Sequence, residues 1–308
     1  MASRKKGGKV AHDKEVLTAG MTRPERRKAA LAAGVAAADA ALALGKVPVK
    51  AAAGPPKGLL VAEGDSWFDY PLHDVLQKLE QLNWRIVSVA HYGDTVESMA
   101  YDGPQFVRLE KELRRLASQQ QEPHAILLSG GGNDIAGDEF SMLLNHKNSG
   151  LPPLNQQVLA GVFEERIEAA ILSLVAGVTR LSEELFDKKV KIVLHGYGHP
   201  VPDGRGFLGG FGLLPGPWLR PGFRRKGYDD SPADLKTITD LMAVLIDRFN
   251  AVLQSIAGSP TLGHVQYIDL RPLISNTLPK KYQDDWGNEL HLTSSGFTRV
   301  AKAIDAAI

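Results

Sequence analysis

The sequence contains no cysteine. This absence excludes disulfides, thiolate metal ligands and cysteine nucleophiles, but it leaves the redox environment of the protein open. Long apolar runs are missing as well, since none reaches the roughly 20 residues that a membrane-spanning helix requires. The N-terminus is basic, but no continuous apolar core follows it. We therefore expect neither a signal peptide nor a transmembrane segment, and we predict a cytoplasmic location.

An excess of charge of one sign is also lacking, because the formal net charge at pH 7 is +1. Such a balance gives no electrostatic reason to expect a nucleic-acid partner. The charge is nevertheless uneven: residues 1–58 carry 12 Lys and Arg against 4 Asp and Glu, a net +8, which leaves −7 for the remainder. The basic stretch Arg23–Lys28 has two interpretations, a solvated helix face or a contact surface for an acidic partner or a membrane.

The first 57 residues are expected to be an appendage to the rest of the chain. Their Ala-rich stretch Thr22–Leu44 predicts a helix, which Thr22 caps and in which Pro24 occupies the first turn. The prolines within Val47–Lys57 then predict a linker. We therefore assign residues 1–57 to a basic N-terminal extension and linker, and residues 58–308 to one globular domain.

From residue 58 onward, short apolar runs alternate with stretches of helical spacing. The apolar runs predict buried strands at Leu59–Ala62, Arg85–Ala90, Ala125–Ser129, Val190–His195 and Val265–Leu270. The helical spacing predicts helices at Pro71–Leu82, Gln105–Gln120, Asn155–Phe186, Asp234–Ile256 and Ser294–Ile308. This alternation predicts an α/β fold, a three-layer α/β/α sandwich with a five-stranded parallel sheet, in which ligands bind at the carboxyl ends of the strands.

Four short blocks, far apart in sequence, carry residues that one catalytic site would need. They are Gly64–Trp67, His91–Thr95, Gly131–Asp134 and Asn288–His291. Three of them follow a predicted strand and the fourth precedes the last helix, so we expect all four at one edge of the sheet. A serine needs a base, usually histidine, and an acyl-transfer intermediate needs hydrogen-bond donors for its oxyanion. Ser66, Gly93, Asn133 and His291 each fill one of these roles.

These blocks resemble those of the SGNH (GDSL-type) hydrolases, a family named for the same four residues. The resemblance extends from about residue 59 to residue 308. It implies a flavodoxin-like fold, Ser66 as nucleophile, His291 as base, and an oxyanion hole formed by Ser66 N–H, Gly93 N–H and the Asn133 amide. It also implies hydrolysis of ester or thioester bonds through an acyl-enzyme, with no cofactor and no metal.

The chain departs from the family three residues before the histidine, where the family usually carries aspartate and this chain carries Asn288. An amide oxygen can accept the hydrogen bond from His291 Nδ1 and hold its tautomer, but it cannot balance an imidazolium as a carboxylate does. We favour a Ser–His dyad oriented by Asn288 or by a backbone carbonyl, with Asp285 as a possible acid. Glu289 is another carboxylate close to the histidine in sequence.

The stretch Gly196–Asp230 is predicted to be one long ordered loop, and loops of this length are usually functional. We expect its aromatic residues Tyr197, Phe207 and Trp218 in a wall or lid of the substrate pocket; the alternative is a surface excursion packed on its own aromatics. A G-x-G-x-x-G pattern at residues 204–209 lies between prolines, so no helix opens there and we do not interpret it as a dinucleotide site. No third ligand accompanies His195 and His199, which argues against a metal site there.

Three functions stay open at this level. The first is an esterase whose substrate is a small-molecule, lipid or acyl-sugar ester. The second is a binding protein that keeps the fold without the chemistry, and Asn288 is its only support. The third is an acyltransferase that passes the acyl group from the same serine to an alcohol instead of to water.

Overall fold

A computed structural model of the chain describes residues 54–101, 103–207 and 215–308. The predicted helix Thr22–Leu44 and most of the predicted linker lie outside these residues, so the boundary at residue 57 stays a prediction. The strands are β1 (Leu59–Gly64), β2 (Arg85–Ser88), β3 (Ala125–Ser129), β4 (Lys191–His195) and β5 (Val265–Ile268). They form one sheet of order β2-β1-β3-β4-β5 in which all neighbouring pairs are parallel. The predicted five-stranded parallel sheet is confirmed.

Helices cover both faces of the sheet. They are α1 (Val75–Gln81), α2 (Val96–Tyr101), α3 (Gly103–Ser118), α4 (Gly132–Ile135), α5 (Gln156–Ala160), α6 (Glu168–Phe186), α7 (Arg220–Arg225), α8 (Pro232–Ala257) and α9 (Ser294–Ala307). A π-helical segment, Gly161–Ile167, joins α5 to α6. Right-handed crossovers place α1 and α9, which pack together, on one face, and α2, α3, α6 and α8 on the other. The three-layer α/β/α sandwich is therefore confirmed. None of the helices in the described part of the chain is long and apolar enough to cross a membrane.

The central strands are the ones that position the site. Every residue of β1 and β3 is buried, as expected for parallel strands that helices cover on both faces, whereas edge strand β2 is partly exposed. Gly64 at the end of β1 is in register with Ser129 at the end of β3. The loops that leave these two strands therefore start side by side, and they carry Ser66 and Asn133.

Three short helices, α2, α4 and α7, were not predicted from the sequence, and α7 corrects the prediction that Gly196–Asp230 is a single loop. Six residues make fewer than two helical turns, so the apolar spacing that marks a longer helix is absent. Tertiary contacts hold α7 instead. Its buried Arg220 donates hydrogen bonds to the carboxylate of Asp230 at 2.7 Å and to the carbonyl oxygen of Pro202 at 3.3 Å. Helix α2 is equally short and follows the His91–Thr95 block directly.

Candidate active site

Ser66 lies in the turn that follows β1. The carboxylate of Asp65, which is 2% exposed, accepts hydrogen bonds from the Trp67 backbone N–H at 3.0 Å, the Ser129 hydroxyl at 2.9 Å and the Tyr197 hydroxyl at 2.6 Å. These bonds fasten the turn to the end of the sheet, while Ser66 itself stays partly exposed. Asp65 therefore shapes the turn that presents the Ser66 hydroxyl.

His291 lies against Ser66 although the two are 225 residues apart in sequence. Its Nε2 atom is 2.8 Å from Ser66 Oγ, and the ring is buried. The loop that carries the histidine is tied to the turn that carries the serine, because the Trp67 indole N–H donates to the Leu290 carbonyl oxygen at 2.9 Å. The structure thus brings together the predicted nucleophile and the predicted base.

Asn288 determines which nitrogen of His291 carries the proton. Its Oδ1 atom accepts hydrogen bonds from the backbone N–H groups of Leu290 at 2.9 Å and His291 at 2.8 Å, and its Nδ2 atom donates to the Tyr70 hydroxyl oxygen at 3.0 Å. Two backbone donors can meet only an oxygen, so the orientation of the amide is unambiguous. The same Oδ1 atom lies 3.1 Å from His291 Nδ1, which must therefore be the N–H donor. The lone pair of Nε2 is left facing Ser66.

Aromatic rings enclose the histidine. The Tyr70 ring stacks on it at 4.0 Å between centroids and an interplanar angle of 14°, and the Trp218 ring meets it edge-on at 5.6 Å. Burial lowers the pKa of His291 to about 3, so the imidazole is neutral at physiological pH. Sequence reasoning missed Tyr70, which lies only four residues after Ser66 but belongs to no pattern that marks it as a neighbour of the base.

The carboxylates of Asp285 and Glu289, which are close to His291 in sequence, are bound by other groups than its ring. Asp285 accepts a hydrogen bond from the Ser275 backbone N–H at 2.6 Å and forms an ion pair with Arg299. Neither Ser275 nor Arg299 takes part in the contact between His291 and Ser66. Asn288 therefore occupies the position beside His291 Nδ1 for which Asp285 was the other candidate.

Glu289, which is fully buried, joins the base loop to the long stretch after β4. Its two carboxylate oxygens accept hydrogen bonds from four backbone N–H groups at 2.7 to 3.0 Å, those of Gly204, Trp218, Leu219 and Arg220. Burial raises the pKa of Glu289 and these donors oppose the rise. Because all four bonds need an acceptor, the geometry fits the ionised carboxylate. The sequence marked Glu289 only as a carboxylate close to the histidine, and no local pattern showed its contacts, since its partners lie about 70 or more positions away.

The residues expected to form the oxyanion hole lie on neighbouring loops. Gly93 is exposed with a φ of +85°, a backbone conformation that favours glycine, and a side chain there would meet no atom within 4 Å. Asn133 donates one amide hydrogen to the Asp94 carbonyl oxygen at 2.9 Å, which ties it to the residue after Gly93. Within the described part of the chain, the backbone N–H groups of Ser66 and Gly93 donate to no backbone carbonyl oxygen.

The three loop aromatics occupy different places. Tyr197 is buried, its hydroxyl donates to Asp65 directly before Ser66, and its ring lines an apolar cleft next to the serine. Phe207 is buried with its ring edge-on to Tyr70, so it supports the ring that stacks on the histidine. Of the three, only Trp218 is partly exposed beside the catalytic pair. Their predicted contact with substrate stays a prediction. Phe211, another aromatic of this stretch, lies outside the described residues.

In the described ranges, no group of three or more His, Asp or Glu side chains is arranged to hold a metal ion. His199 instead contacts Asp247, with 2.8 Å between Nε2 and a carboxylate oxygen. The Nδ1 atom of His195 is 2.8 Å from the Gly196 carbonyl oxygen.

Comparisons with known proteins give structural matches only. No family model and no curated protein matches the sequence. Among solved structures, the chain is similar to a protein from Parabacteroides merdae described as a GDSL-like lipase, with 13% identity, a TM-score of 0.47, and coverage of 82% of this chain and 96% of that one. It is also similar to a catalytic mutant of an acetylxylan esterase from Geobacillus stearothermophilus, with 14% identity, a TM-score of 0.43, and coverage of 82% and 94%.

A third similar structure is the C-terminal catalytic domain of a peptidoglycan O-acetyltransferase from Streptococcus pneumoniae. The identity is 11%, the TM-score is 0.38, and the coverage is 82% of this chain and 93% of that one.

Proposed function

We propose that this chain is an SGNH-type serine hydrolase that cleaves carboxylic ester or thioester bonds through an acyl-enzyme on Ser66. The observation that carries the proposal is the 2.8 Å contact between Ser66 Oγ and His291 Nε2. It is made by a buried, neutral histidine whose other nitrogen donates to Asn288. A base that is unprotonated and already directed at a hydroxyl is what activation of a serine requires.

The proposed reaction has two halves. Ser66 Oγ attacks the carbonyl carbon while its proton passes to His291 Nε2, and the resulting oxyanion accepts hydrogen bonds from Ser66 N–H, Gly93 N–H and the Asn133 amide. The leaving alcohol or thiol then takes the proton from Nε2 as the bond to the carbonyl carbon breaks. In the second half a water attacks the acyl carbon while its proton passes to Nε2, and Nε2 then returns that proton to Ser66 Oγ as the bond from the acyl carbon to Oγ breaks and the acid leaves. The scheme uses no cofactor and no metal.

Asn288 favours an enzyme over a binding protein. Here two backbone donors and Tyr70 hold the amide in the one orientation that keeps the lone pair of Nε2 on the serine. An acyltransferase would use the same acyl-enzyme with an alcohol in place of water. The substrate would be a small-molecule, lipid or acyl-sugar ester.

A fluorophosphonate probe tests the proposal directly, because it labels only an activated serine. The full-length chain should be labelled and should hydrolyse 4-nitrophenyl esters, and Ser66→Ala should abolish labelling and lower the hydrolysis rate at least about 1,000-fold. Ser88→Ala, which removes an exposed hydroxyl at the end of β2, serves as a matched control and should leave both unchanged. A folded Ser66→Ala protein that kept most of its activity would refute the mechanism. Adding alcohols and analysing the products separates transfer from hydrolysis.

A further inference from the structure

An apolar cleft opens beside Ser66 and runs under α8. Its empty volume is about 540 Å³, counting the part open to solvent, and its lining surface is almost entirely apolar. The side chains that give it this character include Met242, Ile246 and Phe249 on α8, with Ile135, Leu219 and Leu290 around them. Apolar surface in a concave site next to reactive groups is the usual property of a ligand pocket.

The ionisable groups in the lining are already occupied by protein partners. Asp65 accepts three hydrogen bonds, one of them from the Tyr197 hydroxyl, and Glu289 accepts four backbone N–H groups. The Trp67 indole N–H donates to a backbone carbonyl oxygen. Among the described residues, the Trp286 indole N–H is a buried donor in this lining without a partner. Apart from the hydroxyl and oxyanion donors of Ser66 and Asn133, the described side chains of the cleft therefore offer a ligand no free charge and one free donor, the Trp286 indole N–H.

The position of the cleft relative to the catalytic pair distinguishes the two halves of an ester. Ser66 and Asn133 line it, whereas His291 does not. The leaving group must reach His291 Nε2 to collect its proton, so that half of the ester lies outside the cleft. The half that remains attached to the carbonyl carbon, beyond the oxyanion donor Asn133, is the acyl group.

We propose that this cleft is the acyl-binding subsite, and that the preferred substrates are esters of uncharged hydrocarbon acyl groups longer than acetyl. This inference rests on the proposed function, because it assigns one half of the substrate of the same site. Each methylene that enters the cleft should raise kcat/KM about fourfold, the ratio that corresponds to burial of one CH₂ group, until the cleft is filled.

The experiment compares 4-nitrophenyl esters of straight-chain acids from acetate to octanoate on the full-length chain. A second pair, pentanoate and 3-methoxypropanoate, has nearly the same length and differs by one ether oxygen. We expect the butanoate-to-acetate ratio of kcat/KM to be about tenfold or more, and pentanoate to exceed 3-methoxypropanoate. Ratios measured on one preparation do not depend on the fraction of active protein.

Two matched variants locate the effect. Ile246 and Ile256 both lie buried on α8, but only Ile246 lines the cleft. Ile246→Ala should move the best substrate to a longer chain, and Ile246→Phe to a shorter one, because these changes enlarge and shrink the cleft. Ile256→Ala should leave the chain-length profile unchanged.

Three outcomes would overturn the proposal. One is a protein that the fluorophosphonate probe labels but that shows a flat profile or prefers acetate, which would remove the acyl subsite and keep the hydrolase. Another is an equal change of the profile in Ile246→Ala and Ile256→Ala. The third, absence of both labelling and hydrolysis with every ester, would remove the proposed function together with the subsite.

Discussion

The two halves of the candidate site keep charge away from the reacting atoms in different ways. In the half that carries the base, the acidic side chains close to His291 in sequence are bound elsewhere, Asp285 by Arg299 and Glu289 by backbone N–H groups. In the half that carries the oxyanion donors, burial raises the pKa of Glu63 to about 8 and also raises the pKa of Asp94. In the first half the carboxylates are directed away from the base, and in the second the buried Glu63 is protonated at neutral pH.

This difference makes the two halves respond to pH in opposite ranges. The base is neutral because it is buried and faces an amide, so its protonation limits activity only in acid. Glu63 becomes charged only in alkali, and it lies three residues before Ser66 with its Oε1 atom 3.0 Å from Gly64 N. Substitutions in either half test whether the base and the oxyanion donors depend on different groups. Among them, Asn133→Ala should have the largest effect on activity.

Asn133→Ala removes one side-chain donor from the oxyanion half. We expect kcat to fall about 100-fold or more, because the donor contributes mainly to the transition state. Asn145→Ala is the matched control, since the Asn145 amide also donates to a backbone carbonyl oxygen, that of Pro152, but away from the site. Equal losses of activity in the two variants would mean that Asn133 has only a structural role.

The strands could be predicted from the sequence because their burial on both faces is visible in composition. Ala125–Ser129 is apolar up to its last residue and was predicted at its observed bounds. Helices α2 and α7 could not be found in this way, because six residues are too few to show a period. Long helices such as α8 and α9 were predicted to within about two residues of their ends, as far as fraying allows.

Within the site, the sequence pointed to the residues that chemistry requires but not to those that hold them in place. Ser66, His291 and Asn288 were candidates by type and position, and the structure brings them into contact while their roles stay predictions. Tyr70 was missed, and Glu289 was named without its contacts, because the importance of both depends on contacts between distant segments. A hydrogen bond between residues 218 positions apart, as between Asn288 and Tyr70, leaves no local pattern.

The pH dependence of kcat/KM tests whether His291 is a neutral, buried base. With a His291 pKa of about 3, kcat/KM should stay nearly constant from pH 7 down to about pH 5, whereas an ordinary histidine base would lose more than about 90% of its activity. Asn288→Asp places a carboxylate against Nδ1, which favours the imidazolium and should move the acid limb upward by at least about one pH unit. Aspartate has nearly the same shape as asparagine, and the Tyr70 hydroxyl can donate to the oxygen that replaces Asn288 Nδ2.

Tyr70→Phe is the control for that experiment. It keeps the stacked ring and removes only the acceptor of the Asn288 amide. We expect a lower kcat with the acid limb unmoved, because no charge is added beside His291. A wild-type acid limb near pH 6.5 would contradict the neutral, buried base.

Asp285→Asn tests whether the base half works without a carboxylate. Because Asp285 contacts Ser275 and Arg299 instead of the histidine, kcat/KM at pH 7 should fall by less than about tenfold, far less than the loss when a triad aspartate is replaced by asparagine. The melting temperature should decrease, since the guanidinium of Arg299 loses its charged partner. A loss of several orders of magnitude in a folded protein would make Asp285 the missing acid and refute the dyad.

Glu63→Gln should have the smallest effect on activity and a clear effect on stability. Both Gly64 N–H and the Gln105 amide donate to Glu63 Oε1, and within the described residues the buried Oε2 atom has no partner, so glutamine replaces the protonated acid at nearly the same shape. The folded pKa of about 8 lies above the ordinary value of 4.5, so the folded state binds the extra proton between these values. The free energy of unfolding of the wild type should therefore decline, relative to the variant, as pH rises from about 4.5 through about 8. The variant should have a higher melting temperature than the wild type at pH 9 but not at pH 5. Its kcat at pH 7 should stay within about twofold of the wild-type value. A variant that melted lower by the same amount at both pH values would show that Glu63 is ionised in the fold, and the contrast between the two halves of the site would fail.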